Sequence, residues 1–371
     1  MAKSKVYFTD LKAPINTQSL LLKLRKLILK AKIDDIDFKN KFVAIKVHFG
    51  EEGNLSYLRH NYAKVLVDII KERGGKPFLT DCATLYPGSR KNAIEHLDCA
   101  YLHGYFPMAT GCHVIIGDGL KGSDDINVPV KGEYVKEAKI GRAIMDADIV
   151  ISLNHFKGHE MTGFGGAIKN IGMGCGSRAG KMEMHCDGKP EVDSGSCIGC
   201  GLCAKQCAHD AITFGKDKKA KIDHKRCVGC GRCLGACPSH AIGGTDWSSA
   251  KILNYKIAEY TLAVLQGRPN FHINLVIDVS PYCDCHSEND IPIIPNVGFF
   301  ASFDSVALDL ACVNACNEMP TIPGSVIHGK CKEHSEHFEG VLMPNAEWKS
   351  CIDHAVKIGL GSKEYEKIVV K

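Results

Sequence analysis

The sequence carries no excess of either charge: 46 Lys and Arg stand against 42 Asp and Glu, a formal +4 over 371 residues. Nucleic-acid binders gather basic residues into a stripe or patch, so DNA and RNA are not expected partners. No window offers the ~18 uncharged apolar residues that span a bilayer. The opening Met1-Ala-Lys-Ser-Lys-Val lacks the apolar stretch of roughly 7–15 residues found in a secretory signal. Both absences argue against a membrane and point to the cytoplasm. Hydrophobic residues at 45% and charged residues at 24% leave no room for wholesale disorder or a collagen-like fibre. At roughly 100–200 residues per domain, the length suggests two or three domains.

Cysteine is abundant instead. There are 19, an odd number that complete pairing could not use, and in a reducing compartment such residues bind metal or do chemistry more often than they form bridges. Eight fall into one pattern: Cys197-x2-Cys200-x2-Cys203-x3-Cys207, then Cys227-x2-Cys230-x2-Cys233-x3-Cys237-Pro238. Each cysteine precedes its counterpart by 30 positions, and Gly199, Gly201 and Ala211-Ile212 recur as Gly229, Gly231 and Ala241-Ile242. An internal duplication explains both. A cubane cluster needs four thiolates from different sides; a tight Cys-x2-Cys-x2-Cys loop supplies three, and the fourth comes from elsewhere.

In two-cluster bacterial ferredoxins, which this segment resembles, the last cysteine of each run binds the other cluster. The resemblance implies one [4Fe–4S] cluster on Cys197, Cys200, Cys203 and Cys237, and a second on Cys227, Cys230, Cys233 and Cys207. Ala208 stands where that family usually has proline, which relaxes a turn and removes no ligand. Paired structural zinc sites are the alternative, since they also use Cys-x2-Cys. Between Cys197 and Cys237, eight Lys and Arg face three Asp. Such a basic surface either receives an acidic electron carrier or forms a solvated hairpin tip.

Elsewhere apolar β-branched runs alternate with segments of helical period. Strands are expected at Lys5–Phe8, Phe42–Val47, Pro77–Thr80, Val114–Ile116, Asp148–Leu153 and Ile273–Val279, with helices near 17–31, 57–73, 90–103, 134–146, 251–266, 304–316 and 348–358. This alternation predicts an α/β fold, a mainly parallel sheet with helices on both faces. The rhythm breaks between 191 and 245. The expected organisation is therefore an α/β domain in two parts, 1–190 and 246–371, with a small α+β ferredoxin-like module inserted at 191–245.

The densest polar chemistry outside the module is Ser152-Leu-Asn-His155-Phe-Lys157-Gly-His159-Glu160-Met-Thr-Gly163-Phe-Gly165-Gly166-Ala-Ile-Lys169. It follows a strand, and ligands of open α/β sheets bind beyond the carboxyl ends of strands. Lys157, His159, His155, Glu160 and Asp81 are the candidate catalytic residues. Lys157 would hold an anionic group and His159 would move a proton. Gly165, Gly166 and Lys169 form a candidate anion-binding loop, with a plain packed turn as the alternative for the glycines. His155 and His159, or Cys283, Cys285 and His286, offer partial metal sites. Cys175, near Arg178 and Lys181, is either a reactive thiol or a small buried hydrophobe. Lys46-Val-His48-Phe-Gly50-Glu51, Thr80-Asp81-Cys82 and Asp278 to His286 also end expected strands and should share one crevice.

These same segments, Lys46 to Glu51 with Gly53-Asn54, Phe78 to Asp81, His155 to Glu160 with Gly163 to Asn170, Cys283-Asp-Cys285 and Pro292 to Pro295, resemble a prokaryotic family of uncharacterised Fe–S center proteins built on a domain of unknown function with an inserted ferredoxin-like module. The resemblance covers nearly the whole chain. It implies fold and cofactor, two [4Fe–4S] clusters, and names no reaction; a further metal or a flavin stays open. The expected function is a redox enzyme passing electrons from the clusters to a small anionic substrate in the crevice, served by an electron-carrier partner. The competing expectation is an electron carrier or scaffold without its own catalysis.

Overall fold

The computed structural model describes residues 3–186, 189–245, 247–331 and 334–371. Among these residues, eight strands form the central sheet: β1 (Ser4–Thr9), β2 (Phe42–Val47), β3 (Lys76–Asp81), β4 (Val114–Ile116), β5 (Ile149–His155), β6 (Asn270–Val276), β7 (Gly298–Ser302) and β8 (Tyr365–Val369). Their spatial order is β8-β1-β7-β6-β5-β2-β3-β4. Only β7 runs antiparallel to its neighbours; the other pairings are parallel. The expected mainly parallel α/β sheet is what forms.

Period-two side-chain alternation sends two sets of residues to opposite faces. Val43, Ile45, Val47, Ile149, Ile151, Leu153, Phe271, Ile273 and Leu275 meet helices α1 (Leu20–Lys30) and α2 (His60–Glu72) in one fully buried core. The opposite face packs on α4 (Ala167–Cys175), α6 (Ala250–Leu265) and α7 (Ser305–Asn317). Helix α3 (Ala93–Leu102) follows β3, α5 (Arg178–His185) follows α4, and α8 (Trp348–Lys357) lies against α6. Among the described residues no helix is long and apolar enough to cross a membrane.

The second face is polar at its centre. Lys46 donates to Asn170 Oδ1 at 2.7 Å, Asn170 to Asn154 Oδ1 at 2.6 Å, Asn154 to Asn274 Oδ1 at 2.8 Å, and Asn274 to Asp309 Oδ1 at 2.7 Å. Every member is buried. A buried polar group left unpaired costs roughly 1–3 kcal/mol, so this chain fixes how α4 and α7 sit on the sheet.

The expected helix at 134–146 is corrected. Asp125–Pro129 and Glu137–Gly141 form an antiparallel hairpin, and only Arg142–Met145 is helical. Ala138 and Ile140 are buried two residues apart, a strand period that the neighbouring apolar residues disguise. Buried Glu259 of α6 then accepts the N–H groups of Glu133, Tyr134 and Val135, which ties the hairpin loop down.

Within 190–244, Pro190–Val192 pairs antiparallel with Ile242–Gly244, and Ile212–Phe214 with Ala220–Ile222. Two short helices, Leu202–Gln206 and Arg232–Gly235, each begin after a glycine with positive φ: Gly201 at 76° and Gly231 at 67°. The 30-residue sequence repeat is thus a backbone repeat, and only glycine enters this conformation without strain.

Candidate functional site

Because β2, β3, β5 and β6 run parallel, their carboxyl ends open on one edge, as the ligand-binding rule for such sheets requires. A cleft of about 480 Å³ lies there. Its walls come from the ends of β2 (Lys46, His48) and β3 (Asp81, Cys82), the following segment (Leu85, Tyr86, Arg90), the tip (His159, Glu160) of a hairpin that pairs Lys157–His159 with Gly163–Gly165, α4 and α5 (Lys169, Lys181, His185), and the loop after β6 (Cys285, His286). Four Lys and Arg face two carboxylates, so the interior is cationic. Asp81 lies 3.0 Å from Lys46 and 3.5 Å from Arg90; these cations hold its carboxyl below the ordinary range despite burial.

The structure separates the candidate catalytic residues. His159, Glu160 and Asp81 line the cleft; His155 and Lys157 do not. His155 is consumed on both nitrogens, Nδ1 by Asp284 at 2.9 Å and Nε2 by the Ile277 carbonyl at 2.8 Å. That excludes it from a metal pair with His159. Lys157 Nζ lies 3.5 Å from the same Asp284 carboxylate, away from the cleft. Both residues anchor the loop that carries Cys283 and Cys285.

The anion loop is corrected as well. The N–H groups of Ala167 and Ile168, just after Gly166, donate to the Asp309 carboxylate at 2.7 and 2.9 Å, so the helix terminus is already filled. Gly165 lies over the Lys157 side chain. Lys169 of that trio does reach the cleft, where burial and then Lys157 push its pKa down to about 7. Near neutral pH it is a group that changes charge. His159 is not, because burial and then Lys169 hold its pKa well below the usual value. Its Nδ1 accepts N–H groups from Met161 and Thr162 at 3.2 Å, leaving Nε2–H as a neutral donor. Glu160 is tied to His286 at 2.9 Å on the rim. Burial drives the Cys175 thiol up to about 12, so the reactive-thiol expectation gives way to a buried small residue.

Sequence reasoning missed Arg90, Tyr86 and His185. Arg90 is buried and paired with Glu51 at 3.2 Å, and nothing in its neighbourhood, Gly88-Ser-Arg90-Lys, distinguishes it from a solvated turn arginine.

The eight module cysteines fall into two sets. Cys197, Cys200, Cys203 and Cys237 surround one cavity; Cys207, Cys227, Cys230 and Cys233 surround another. Backbone N–H groups point at sulfur at repeated positions, Ala211 to Cys207 at 3.4 Å and Ala241 to Cys237 at 3.2 Å. Four thiols per cavity, with amide donors and positive-φ glycines at 199, 201, 229 and 231, are a donor set that fits a cubane cluster. The module leans on the cleft wall: Leu85 and Met182 share its apolar core with Cys233, Leu234 and Cys237, and Leu85 also faces the cleft.

Fold and site define a cysteine-rich α/β protein with a cationic cleft and side-chain groups suited to metal binding. The chain belongs to the family described as Domain of unknown function (DUF362), which matches residues 43–314. No curated protein matches it. Among solved structures it is similar to the lactate racemase apoprotein from Thermoanaerobacterium thermosaccharolyticum, at 12% identity and a TM-score of 0.42 over 85% of this chain and 58% of that one. A Thermotoga maritima protein is similar at 15% identity and a TM-score of 0.39, over 79% and 56%. The chain therefore spans under three fifths of either protein.

Proposed function

We propose that the module binds two [4Fe–4S] clusters and that the cleft holds a small anionic substrate whose oxidation or reduction uses their electrons. Bound there, the clusters supply or accept single electrons. The observation that carries the reading is the shared wall: Leu85 belongs both to the apolar core around the module cysteines and to the cleft, so a donor and its acceptor would sit on either side of one dry layer. Within the cleft, Lys46, Arg90 and Lys181 supply a positive field for an anionic group. His159 Nε2–H donates a hydrogen bond, and Lys169 on the same wall is placed to pass a proton to a bound ligand as electrons arrive. An outside electron carrier would dock at exposed Ile198 and Leu202, next in sequence to Cys197 and Cys203.

Anaerobically purified protein should carry about eight iron and eight acid-labile sulfide; stoichiometric zinc without sulfide would refute the clusters. Cys207→Ala should remove the EPR signal of the cluster on Cys227, Cys230 and Cys233, leaving its sequence neighbour. Lys169→Ala and His159→Ala should keep all the iron yet lose the thermal shift given by an anionic ligand. Equal shifts in all three proteins would remove the cleft from the reading and leave a carrier.

A further inference from the structure

We propose that His48, Cys283 and Cys285 form a third metal site, separate from the module, that binds one soft divalent ion of the zinc class and presents an open position to the cleft. The ligand atoms of these three residues lie within 4.8 Å of one another. With metal–sulfur bonds near 2.3 Å and metal–nitrogen bonds near 2.0–2.1 Å, small side-chain rotations bring all three onto one ion. His48 and Cys285 line the cleft, so a fourth ligand would come from a substrate oxygen or water. Two thiolates and one neutral imidazole balance a divalent charge.

Three further observations indicate a built site. The loops carrying the ligands are stapled together, because Glu51 N–H donates to the Asp284 carbonyl at 2.8 Å. Asp284, between the cysteines, is fully buried and gripped by His155 and Lys157. Buried partners that orient ligands in this way are what metal sites use to hold affinity. In addition, the Lys169 ammonium points at sulfur, 3.3 Å from Cys283 Sγ and 4.0 Å from Cys285 Sγ, a donor placed for thiolate charge. One weak contact must be exchanged: Gly50 N–H donates to His48 Nδ1 at 3.1 Å. A metal on Nδ1 replaces that contact, and a metal on Nε2 moves the ring proton to Nδ1 and breaks it.

In this structure Cys283 and Cys285 form a disulfide; the metal site belongs to the dithiol form. A phosphine reaches it by reducing the S–S bond, which takes up two electrons and two protons while the phosphine is oxidised with oxygen from water. The test uses cluster-loaded, phosphine-reduced protein dialysed against buffered Zn²⁺, with bound zinc and iron counted together. Wild type and Cys331→Ser should each bind one zinc equivalent beyond their iron. Cys285→Ser should lose that equivalent with iron unchanged, and His48→Ala should weaken it roughly tenfold or more, at least what losing an orienting partner costs. Bound zinc should also shield Cys283 and Cys285 from alkylation. The same zinc count in Cys285→Ser and wild type, no zinc in wild type, or iron lost with Cys285 would each overturn the site. Because iron content and cluster EPR are read separately, failure here is distinct from failure of the cluster reading.

Discussion

His272 lies within β6, its ring between Ser152 Oγ at 2.9 Å and Asn270 Oδ1 at 3.0 Å. Burial pushes its pKa down to about 3, whereas the unfolded chain takes up that proton near 6.5. The unfolded state therefore binds more protons below 6.5, and stability, full above that pH, falls as pH drops toward 3. Between pH 7.5 and 5.5 the wild type should lose about 1.4 kcal/mol more than His272→Asn, at one pKa unit of titration below 6.5. Urea unfolding at the two pH values measures this; equal losses would mean that His272 titrates normally in the fold. The cleft obeys the same rule of environment over identity. Lys157 and Lys169 are alike in sequence, but Asp284 captures the first, and burial, followed by the charge of Lys157, pushes the second down toward neutral pH.

Helix α4 shows what a glycine signal can hide. Gly163, Gly165, Gly166, Gly172 and Gly174 read along the chain as one long loop, yet the last two lie inside a helix. Their role is close approach. A Cβ on Gly172 would press into the Ile257 carbonyl oxygen of α6 and lie 2.7 Å from Thr261 Oγ1. Alanine would gain about 1 kcal/mol in helix propensity, against about 1–3 kcal/mol for forcing extra volume into a packed contact. A rigid carbonyl puts the clash at the upper end, so Gly172→Ala should lower the unfolding free energy by about 1–2 kcal/mol, read from the urea midpoint at unchanged slope. A neutral or stabilised variant would show that α4 can move off α6. The hairpin at Asp125–Gly141 gives the complementary lesson, because its strand period spans too few residues to stand out from helical neighbours.

At the scale of the molecule, the module and the sheet edge meet at Leu85 and Met182. Leu85 is almost fully buried and packs on both. Leu85→Ala should cost about 2–5 kcal/mol as a large-to-small core change and admit water between module and cleft. Iron content should stay at the wild-type level while single-turnover reduction of a cleft-bound ligand slows; an unchanged rate would place the electron path elsewhere. Leu85 stands 112 residues before Cys197, and its neighbours, Ala83-Thr-Leu-Tyr86, mark it as no more than an apolar residue near a strand end.

What the sequence determined by itself is local and periodic: the parallel α/β rhythm, the duplicated cysteine runs, and the polar residues at the ends of β2, β3 and β5. These are properties of spacing, and spacing survives folding. The short strands β7 and β8 were not legible, since five residues carry too little pattern and their pairing with β1 comes from distant parts of the chain. Only the tertiary structure decided that Asp309 fills the helix terminus, that His155 and Lys157 serve Asp284, and that His48 meets Cys283 and Cys285 across more than 230 positions. Each of these is a competition between partners for one charge or one hydrogen bond. Its outcome depends on distance in space, which the order of residues does not contain.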